Sequence, residues 1–434
     1  PCMPSGRKSV VTPPSRFVGL DIGSTTITAA AAEQVDRGTL TLLGFEIAPS
    51  SDTATGRIQH PAALTGALQR VLTRMNRSTG HPVERVALAI PGINIEAVSS
   101  SAERRWDTIE PVAADLIEEL RRHALHGPSA TGPVLASVPI AYETDGRRTT
   151  EPPVGQPARS LRVEVQAFVS PARYVSQLAE VLTGLGVTPD VLVPRALASA
   201  EAVLHEGERR QSVLVIDIGG TSTDIAVFLK GQLYDLFAFP VGSRAITNDI
   251  CAVLGLPFPS AEQLKRAGFT DRRGTGGALA ARQNTGNTAI DARTMEFARE
   301  IAEARLLQVF TRIRQRLDEQ DLGRRLPAGA VVTGGGARVA GLERIARRAL
   351  DMPVRIGTAR TGNGGAAANG PEAAAAVGVV SVQAWFCPAE HPGHTAEQPP
   401  EQPPAEEPQS QERTGKGPAL ARWLREFVPL GDEA

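Results

Sequence analysis

Long apolar runs, paired cysteines and a surplus of charge are missing from this sequence, and each absence closes off a class of protein. No segment reaches the ~18 consecutive apolar residues that a membrane-spanning helix needs. The three cysteines, Cys2, Cys251 and Cys387, lie far apart and form no Cys-x-x-Cys pair. They argue against a disulfide framework and a zinc site, and fit a reducing cytoplasm. The formal net charge of −1 offers nucleic acid no broad basic field. Residues 1–14 carry Arg7 and Lys8 but no apolar core of signal-peptide length. Any membrane contact is therefore expected to be peripheral.

What the sequence does contain is one signature written twice. Phe17–Thr26 (FVGLDIGSTT) and Val213–Asp224 (VLVIDIGGTSTD) are each an apolar run, then Asp-Ile-Gly, then small hydroxyl residues. The pattern reads as a strand entering a tight turn. Glycine lets backbone approach a ligand closely, and successive N–H groups with Ser/Thr hydroxyls make an anion-binding nest. The candidate phosphate contacts are Asp21, Gly23, Ser24, Thr25 and Thr26 in the first copy, and Asp217, Gly219, Gly220, Thr221 and Ser222 in the second. Asp217, at the end of its strand with Asp224 beyond the turn, is placed to hold Mg²⁺ through water, and Asp21 is its counterpart. A third turn, Gly334, Gly335, Gly336 and Ala337, follows the strand Ala330–Val332 and precedes a helix near Gly341. Its backbone can lie flat against a base or ribose, with a helix N-terminus aimed at phosphate.

At 434 residues the chain exceeds one simple core, so two or more domains are expected. Residues 1–15 read as disordered. Strands are predicted at 17–30, 40–48, 86–90 and 187–193, and helices at 61–75, 171–185 and 197–204. Residues 85–170 read as a small α+β insertion: a helix over 113–124, strand-like segments at 134–141 and 161–169, and a polar loop at 144–159. In the second half, Asp235–Val241 closes a strand meander. Helices are predicted at 244–254, 260–267 with Ser260 as N-cap, 292–317, 342–350 and 371–385. Residues 270–287 read as a Gly- and Arg-rich loop.

Together these residues resemble the actin-like ATPase superfamily. Asp21–Thr26 looks like its first phosphate motif, Asp217–Asp224 the second, and Thr333–Ala337 with Gly341 the adenosine motif. Within the superfamily the chain resembles the FtsA family of cell-division proteins. The blocks Leu197–Leu204 (LASAEAVL), Pro240–Ile250 (PVGSRAITNDI) and Ala261–Lys265 (AEQLK) carry that likeness over roughly 16–386. It implies an α/β fold of two related domains around a cleft holding ATP and Mg²⁺, with Glu262 and Lys265 contacting ribose and base. It also implies subdomain 1A at 16–84 plus 171–201, the FtsA-type subdomain 1C at 85–170, 2A at 202–258 plus 324–387, and 2B at 259–323. Two departures stand out. Thr26 stands where relatives usually carry lysine, which removes a positive charge from the phosphate site. Arg195 stands where relatives carry an acid that helps position the attacking water, and a guanidinium cannot accept its proton. Nucleotide binding with weak or absent hydrolysis is the expectation, with Asp217 the one possible catalytic group and Asp190 a possible replacement acid.

The end of the sequence changes character. Residues 388–415 are a Pro/Gln/Glu-rich linker. Within 416–434, Leu420, Trp423, Leu424, Phe427 and Val428 form a helical apolar stripe beside Arg422 and Arg425. Trp and Phe flanked by Arg suit a membrane interface, and the FtsA resemblance implies the same. One such helix binds modestly, so lasting attachment needs several copies, as polymerisation would supply.

The function implied is an ATP-binding adaptor that self-assembles and tethers filaments of the tubulin-like protein FtsZ to the cytoplasmic face of the membrane at the division septum. FtsZ would contact 2B, with Arg266, Arg305 and Arg312 as candidates, and nucleic acid is not an expected partner. Two alternatives share the superfamily: a PilM-like pilus-assembly adaptor, and a sugar or acetate kinase. A kinase needs a general base for its acceptor, and no substrate motif supplies one. His123 and His126 share a helical face, but no cysteine or nearby acid completes a metal set.

Overall fold

The computed structural model describes residues 16–36, 39–50, 53–54, 57–268, 292–360 and 366–386. The proposed linker, the terminal amphipathic stripe, the 270–287 loop and residues 1–15 lie outside the described residues.

The chain opens with β1 (Arg16–Ile22), β2 (Thr26–Asp36) and β3 (Thr39–Pro49), a small hairpin β4 (Thr53–Ala54) and β5 (Arg57–Ile58), then helix α1 (Pro61–Thr79) and β6 (Arg85–Ile90). The insertion follows: β7 (Glu96–Pro111), α2 (Ala114–Ala124), α3 (His126–Ser129), β8 (Val134–Thr144), β9 (Arg147–Thr149) and β10 (Pro157–Val169). The chain returns through α4 (Ala172–Thr183), β11 (Thr188–Pro194), α5 (Arg195–Val203) and α6 (Glu206–Gln211). The second half runs β12 (Val213–Ile218), β13 (Thr223–Leu229), β14 (Gln232–Phe239), α7 (Ser243–Leu254), α8 (Phe258–Gly268), α9 (Ala292–Asp318), β15 (Ala330–Thr333), α10 (Leu342–Leu350), β16 (Val354–Ile356) and α11 (Ala374–Phe386).

The repeated signature is the visible part of a repeated sheet. One five-stranded sheet has the order β11-β6-β1-β2-β3 and the other β14-β13-β12-β15-β16. In both, the Asp-led strand turns back antiparallel on its successor and pairs in parallel with a later strand. Register matches residue for residue: Asp21 faces Thr28, and Asp217 faces Asp224. The turn is closed the same way each time. Gly23 N–H donates to the Thr26 carbonyl at 2.9 Å, and Gly219 N–H to the Ser222 carbonyl at 2.8 Å.

Two helices lie between the sheets. Helices α5 and α11 are apolar on nearly every side, with Ala196, Leu197, Ala198, Ala200 and Ala202 packed among Ala374, Ala375, Ala376, Val379 and Val380. A helix covered all round carries no amphipathic stripe. Small side chains let the backbones close in: a Cβ built on Gly378 would overlap the Ala198 carbonyl, and one on Gly19 would lie 2.7 Å from the Ala376 carbonyl. On the outer faces, α1 and α4 cover the first sheet through Leu64, Leu68, Val71 and Leu178. Helices α7, α8, α9 and α10 cover the second through Ile250, Leu264, Phe310 and Ile345.

The structure corrects several boundaries. Strand β6 pairs with β1 in the first sheet, so the insertion starts after it and not at 85. The insertion's sheet, β7-β10-β8-β9, includes a 16-residue strand, β7, that the sequence reading missed. It is an edge strand with most side chains exposed, so charged and polar residues mask its alternation. The segment 144–159 contains β9. Ser260 lies inside α8, which begins at Phe258, and is not its N-cap. The helix expected at 371–385 is a 3-10 turn, Pro371–Ala373, followed by α11. That helix packs on the first sheet and α5 rather than in the second domain, because the chain crosses back after β16.

The Gly378 contact gives a sign-reversal test. Replacing an interior helical glycine by alanine ordinarily stabilises by about 0.5–1 kcal/mol, and Gly66→Ala in α1, with only the Arg70 side chain within 3.6 Å, should do so. Gly378→Ala should instead destabilise by about 1–3 kcal/mol or more through overpacking, as measured by denaturant unfolding.

Candidate functional site: a carboxylate crevice between the two sheets

Both Asp-led turns end at the same crevice, and they touch. A Cβ added to Gly220 would fall 2.6 Å from Thr25 Cγ2 and 2.7 Å from Ser24 Oγ. The third turn packs behind the second: Gly334, at φ +84°, has no room for a Cβ beside Asp217, and Gly336 lies against Ile218. Helix α7 starts on the second turn, where Ser243 N–H donates to the Gly219 carbonyl (2.9 Å) and Arg244 N–H to the Gly220 carbonyl (2.8 Å).

At the floor stands Arg195, 5% exposed, at the start of α5 where β11 delivers the chain. Its Nη2 lies 2.7 Å and its Nε 2.9 Å from Asp21 Oδ1 in the first sheet. Its Nη1 lies 3.3 Å from Asp224 Oδ2 in the second. Asp224 also accepts Gly92 N–H at 2.6 Å and Ser222 Oγ–H at 3.1 Å. Asp217 accepts a short hydrogen bond from Ser199 Oγ, one turn along α5 from Arg195. Thus α5, from the first half, supplies a partner to both acids of the second.

Burial dominates the proton equilibria here. It raises Asp217 to about 7, with Arg195 opposing and Asp224 adding to the rise. Burial likewise raises Asp224 against the pull of Arg195 and the Gly92 N–H. Burial alone would disfavour the guanidinium, but Asp21, Asp224 and Asp217 outweigh it and raise the Arg195 pKa, so it stays charged.

Glu262 and Lys265 sit on α8 and are engaged with each other at 2.8 Å. Lys265 Nζ also donates to Thr247 Oγ1 (2.9 Å) and to the carbonyl of Ser243 (3.3 Å), the residue whose N–H meets Gly219. Burial would push Glu262 up, but hydrogen bonds from Lys265 and Thr247 carry it below its ordinary value. Asp190 is not a replacement acid for the crevice. Its carboxylate is held by Gln383 at 3.0 Å and Arg85 at 3.2 Å, with no partner in the Asp21–Arg195–Asp224 group. Neither Ser199 nor Gly92 was picked out by sequence, although Ser199 stands in the Leu-Ala-Ser-Ala block that the sequence marks.

Away from the crevice, a groove of about 500 Å³ opens along α9, lined by Val241, Leu307, Gln308, Arg305 and Arg312. Arg305 is fixed by Asp249 through two bonds of 2.6 and 2.7 Å, and Arg266 by Glu262 at 2.9 Å. Rings of His123 and His126 stand 5.5 Å apart. Among the described residues no group of three or more His, Cys, Asp or Glu could hold a metal ion, and no helix is long and apolar enough to cross a membrane.

Comparison with known proteins agrees with this architecture. The family model described as "Cell division protein FtsA" matches residues 214–378. The cell division protein FtsA of Pseudomonas aeruginosa is 26% identical over 344 residues, 79% of this chain and 82% of that protein. The FtsA of Escherichia coli strain K12 is 25% identical over 358 residues, 78% of this chain and 83% of that protein. Among solved structures, a PilM–PilN type IV pilus biogenesis complex superposes with a TM-score of 0.58 at 18% identity, covering 86% of this chain and 99% of that one. This last likeness speaks to fold alone.

Asp217 has a definite pH signature. Its pKa rises from 3.8 to about 7 on folding, so the folded chain keeps a proton that the unfolded chain releases. The contribution is complete below the unfolded pKa and is lost as pH climbs through about 7. Between pH 4 and 8 the wild type should lose up to about 4 kcal/mol relative to Asp217→Asn, at about 1.36 kcal/mol per pKa unit, as measured by urea unfolding of both proteins across that range.

Proposed function

We propose that this chain, a relative of the FtsA cell-division proteins with the actin-like ATPase fold, is a nucleotide-binding adaptor that self-assembles and links FtsZ filaments to the cytoplasmic face of the membrane. The observation that carries the nucleotide reading is the meeting of the two Asp-led turns, Gly23–Thr26 and Gly219–Ser222, at one crevice with the Gly334–Gly336 turn behind them. Glycine-rich backbone and hydroxyls approached from two sides suit a polyphosphate. Helix α8, with Glu262 and Lys265, borders the same region through Ser243 and suits the ribose and base end. Arg195 supports weak hydrolysis: the crevice's water-facing acid is replaced by a cation already committed to Asp21 and Asp224.

The adaptor reading draws on the relationship to FtsA along most of both chains. It is completed by the apolar stripe Leu420, Trp423, Leu424, Phe427 and Val428 with Arg422 and Arg425, which suits a lipid surface. The α9 groove, with Arg312 beside Leu307 and Val241, fits an acidic peptide carrying an apolar anchor, the chemistry of an FtsZ tail.

Sedimentation with anionic vesicles tests the whole. The full chain should pellet with lipid, recruit FtsZ to the pellet, and lose both properties when 416–434 are removed. FtsZ recruitment without lipid binding, or lipid binding unaffected by that truncation, would overturn the reading. Phosphate release from ATP should stay on the order of 10⁻³ per second or slower, the range of an unassisted nucleotide hydrolase. Brisk turnover by the wild type would remove the argument from Arg195.

A further inference from the structure

A nucleotide crevice of this fold is expected to hold a divalent cation, and the carboxylates Asp21 and Asp217 are its natural ligands. The residues present do not fit one. Mg²⁺ demands near-octahedral oxygen coordination and is held by carboxylates with free lone pairs facing water. Here Asp21 Oδ1 is occupied by two nitrogens of Arg195, and Asp224 Oδ2 by a third and by Ser222 Oγ. The other oxygen of Asp224 takes the Gly92 N–H. Asp217, 3% exposed, is engaged by Ser199. The remaining contact of the guanidinium is the Ile22 carbonyl, 3.5 Å from Nη2. A fixed positive charge already stands among the acids that would attract a mobile one.

We propose that the Arg195 guanidinium is a built-in substitute for the divalent cation, so that polyanion binding in this crevice is independent of Mg²⁺. Two buried carboxylates, Asp217 and Asp224, with the half-buried Asp21 beside them, need nearby positive charge, because an unpaired buried charge is strongly unfavourable. A divalent ion supplies that charge only when present, whereas a side chain supplies it always. The arginine also spans the two halves, joining Asp21 of β1 to Asp224 of β13. It therefore does what a bridging ion would do for the approach of the two turns, and the contact of Thr25 with Gly220 needs no ion to form.

This inference deepens the nucleotide reading, and its test separates the two. The first arm uses Mn²⁺ alone as a paramagnetic probe on the full chain, with no nucleotide. The wild type should show no saturable Mn²⁺ site at millimolar metal, and its melting temperature should be unmoved by Mg²⁺. A stoichiometric Mn²⁺ site in the wild type, lost in Asp21→Asn, would overturn the proposal. The second arm measures a fluorescent ATP analogue with Mg²⁺ or with EDTA. Wild-type affinities should agree within about twofold, whereas a drop of about tenfold or more in EDTA, over 1.4 kcal/mol, would refute metal independence. Should the analogue bind under neither condition, the nucleotide reading falls while the Mn²⁺ result stands on its own.

Discussion

One guanidinium reconciles the charges on which the two halves of this protein meet. Asp21 closes the Asp-led strand of the first sheet, while Asp217 and Asp224 face each other in the second, where burial makes both costly as anions. Arg195 touches the first and third directly and lowers the cost of the second through its field. Truncating one partner of such a cluster leaves the others buried and uncompensated, a loss of roughly 3–5 kcal/mol in comparable pairs. The arrangement also sets geometry. Because Arg195 begins α5 and Ser199 follows one turn later, a single short helix fixes both acids of the second sheet relative to the first. The turns can then lie close enough for Gly220 to tolerate no side chain.

That position of α5 explains the composition of its neighbourhood. A helix wedged between two sheets must be largely apolar away from its polar contacts, and thin enough for the sheets to approach. Alanine satisfies both demands: it takes four of the nine residues of α5 and, beside four valines, four of the thirteen of α11. Close backbone contact at Gly378 and Gly19 replaces the bulk that larger residues would otherwise contribute. The core between the sheets is consequently held by many small atom–atom contacts, each of about 0.1–0.2 kcal/mol. The outer layers differ in kind. There Leu306, Phe310, Ile313 and Leu317 repeat along α9 with helical spacing, and each buried aliphatic or aromatic side chain contributes about 1.5–3 kcal/mol.

These physical differences decide what could be read before the fold was known. The outer helices and the Asp-led strands were legible, because amphipathic spacing and a repeated Asp-Ile-Gly turn are local patterns. Helix α11 was visible as a helix but misplaced between domains, because a helix apolar all round does not say which sheet it covers. Strand β7 escaped because an edge strand with solvent on most sides keeps no apolar alternation. At the crevice, the turns and Arg195 were each legible as departures or repeats. The clasp itself was not: Arg195 and Asp21 are 174 positions apart, and Gly92 and Asp224 are 132 apart. Nothing in a linear reading joins them. Asp190, five positions from Arg195 and carrying the right chemistry, was the tempting wrong candidate for the same reason, since strand geometry sends it to Gln383 instead.

The duplication is most informative where its copies differ. Register places Thr28 in the first sheet where Asp224 stands in the second. Thr28 Oγ1 is buried with no hydrogen-bond partner among the described residues. A carboxylate there as well would set four acids around one guanidinium. The observed set is smaller by one acid on the side that also supplies the arginine. The first half thus brings a balanced pair, Asp21 with Arg195, to a second half carrying two acids, and burial raises the pKa of Asp217 to about 7, which lessens their charge near neutral pH. One guanidinium offsets these acids in part, and only when the halves are together. That attraction favours the closed crevice over the open one. Any polyanion entering between the turns must compete with Asp21 and Asp224 for a positive charge they already share.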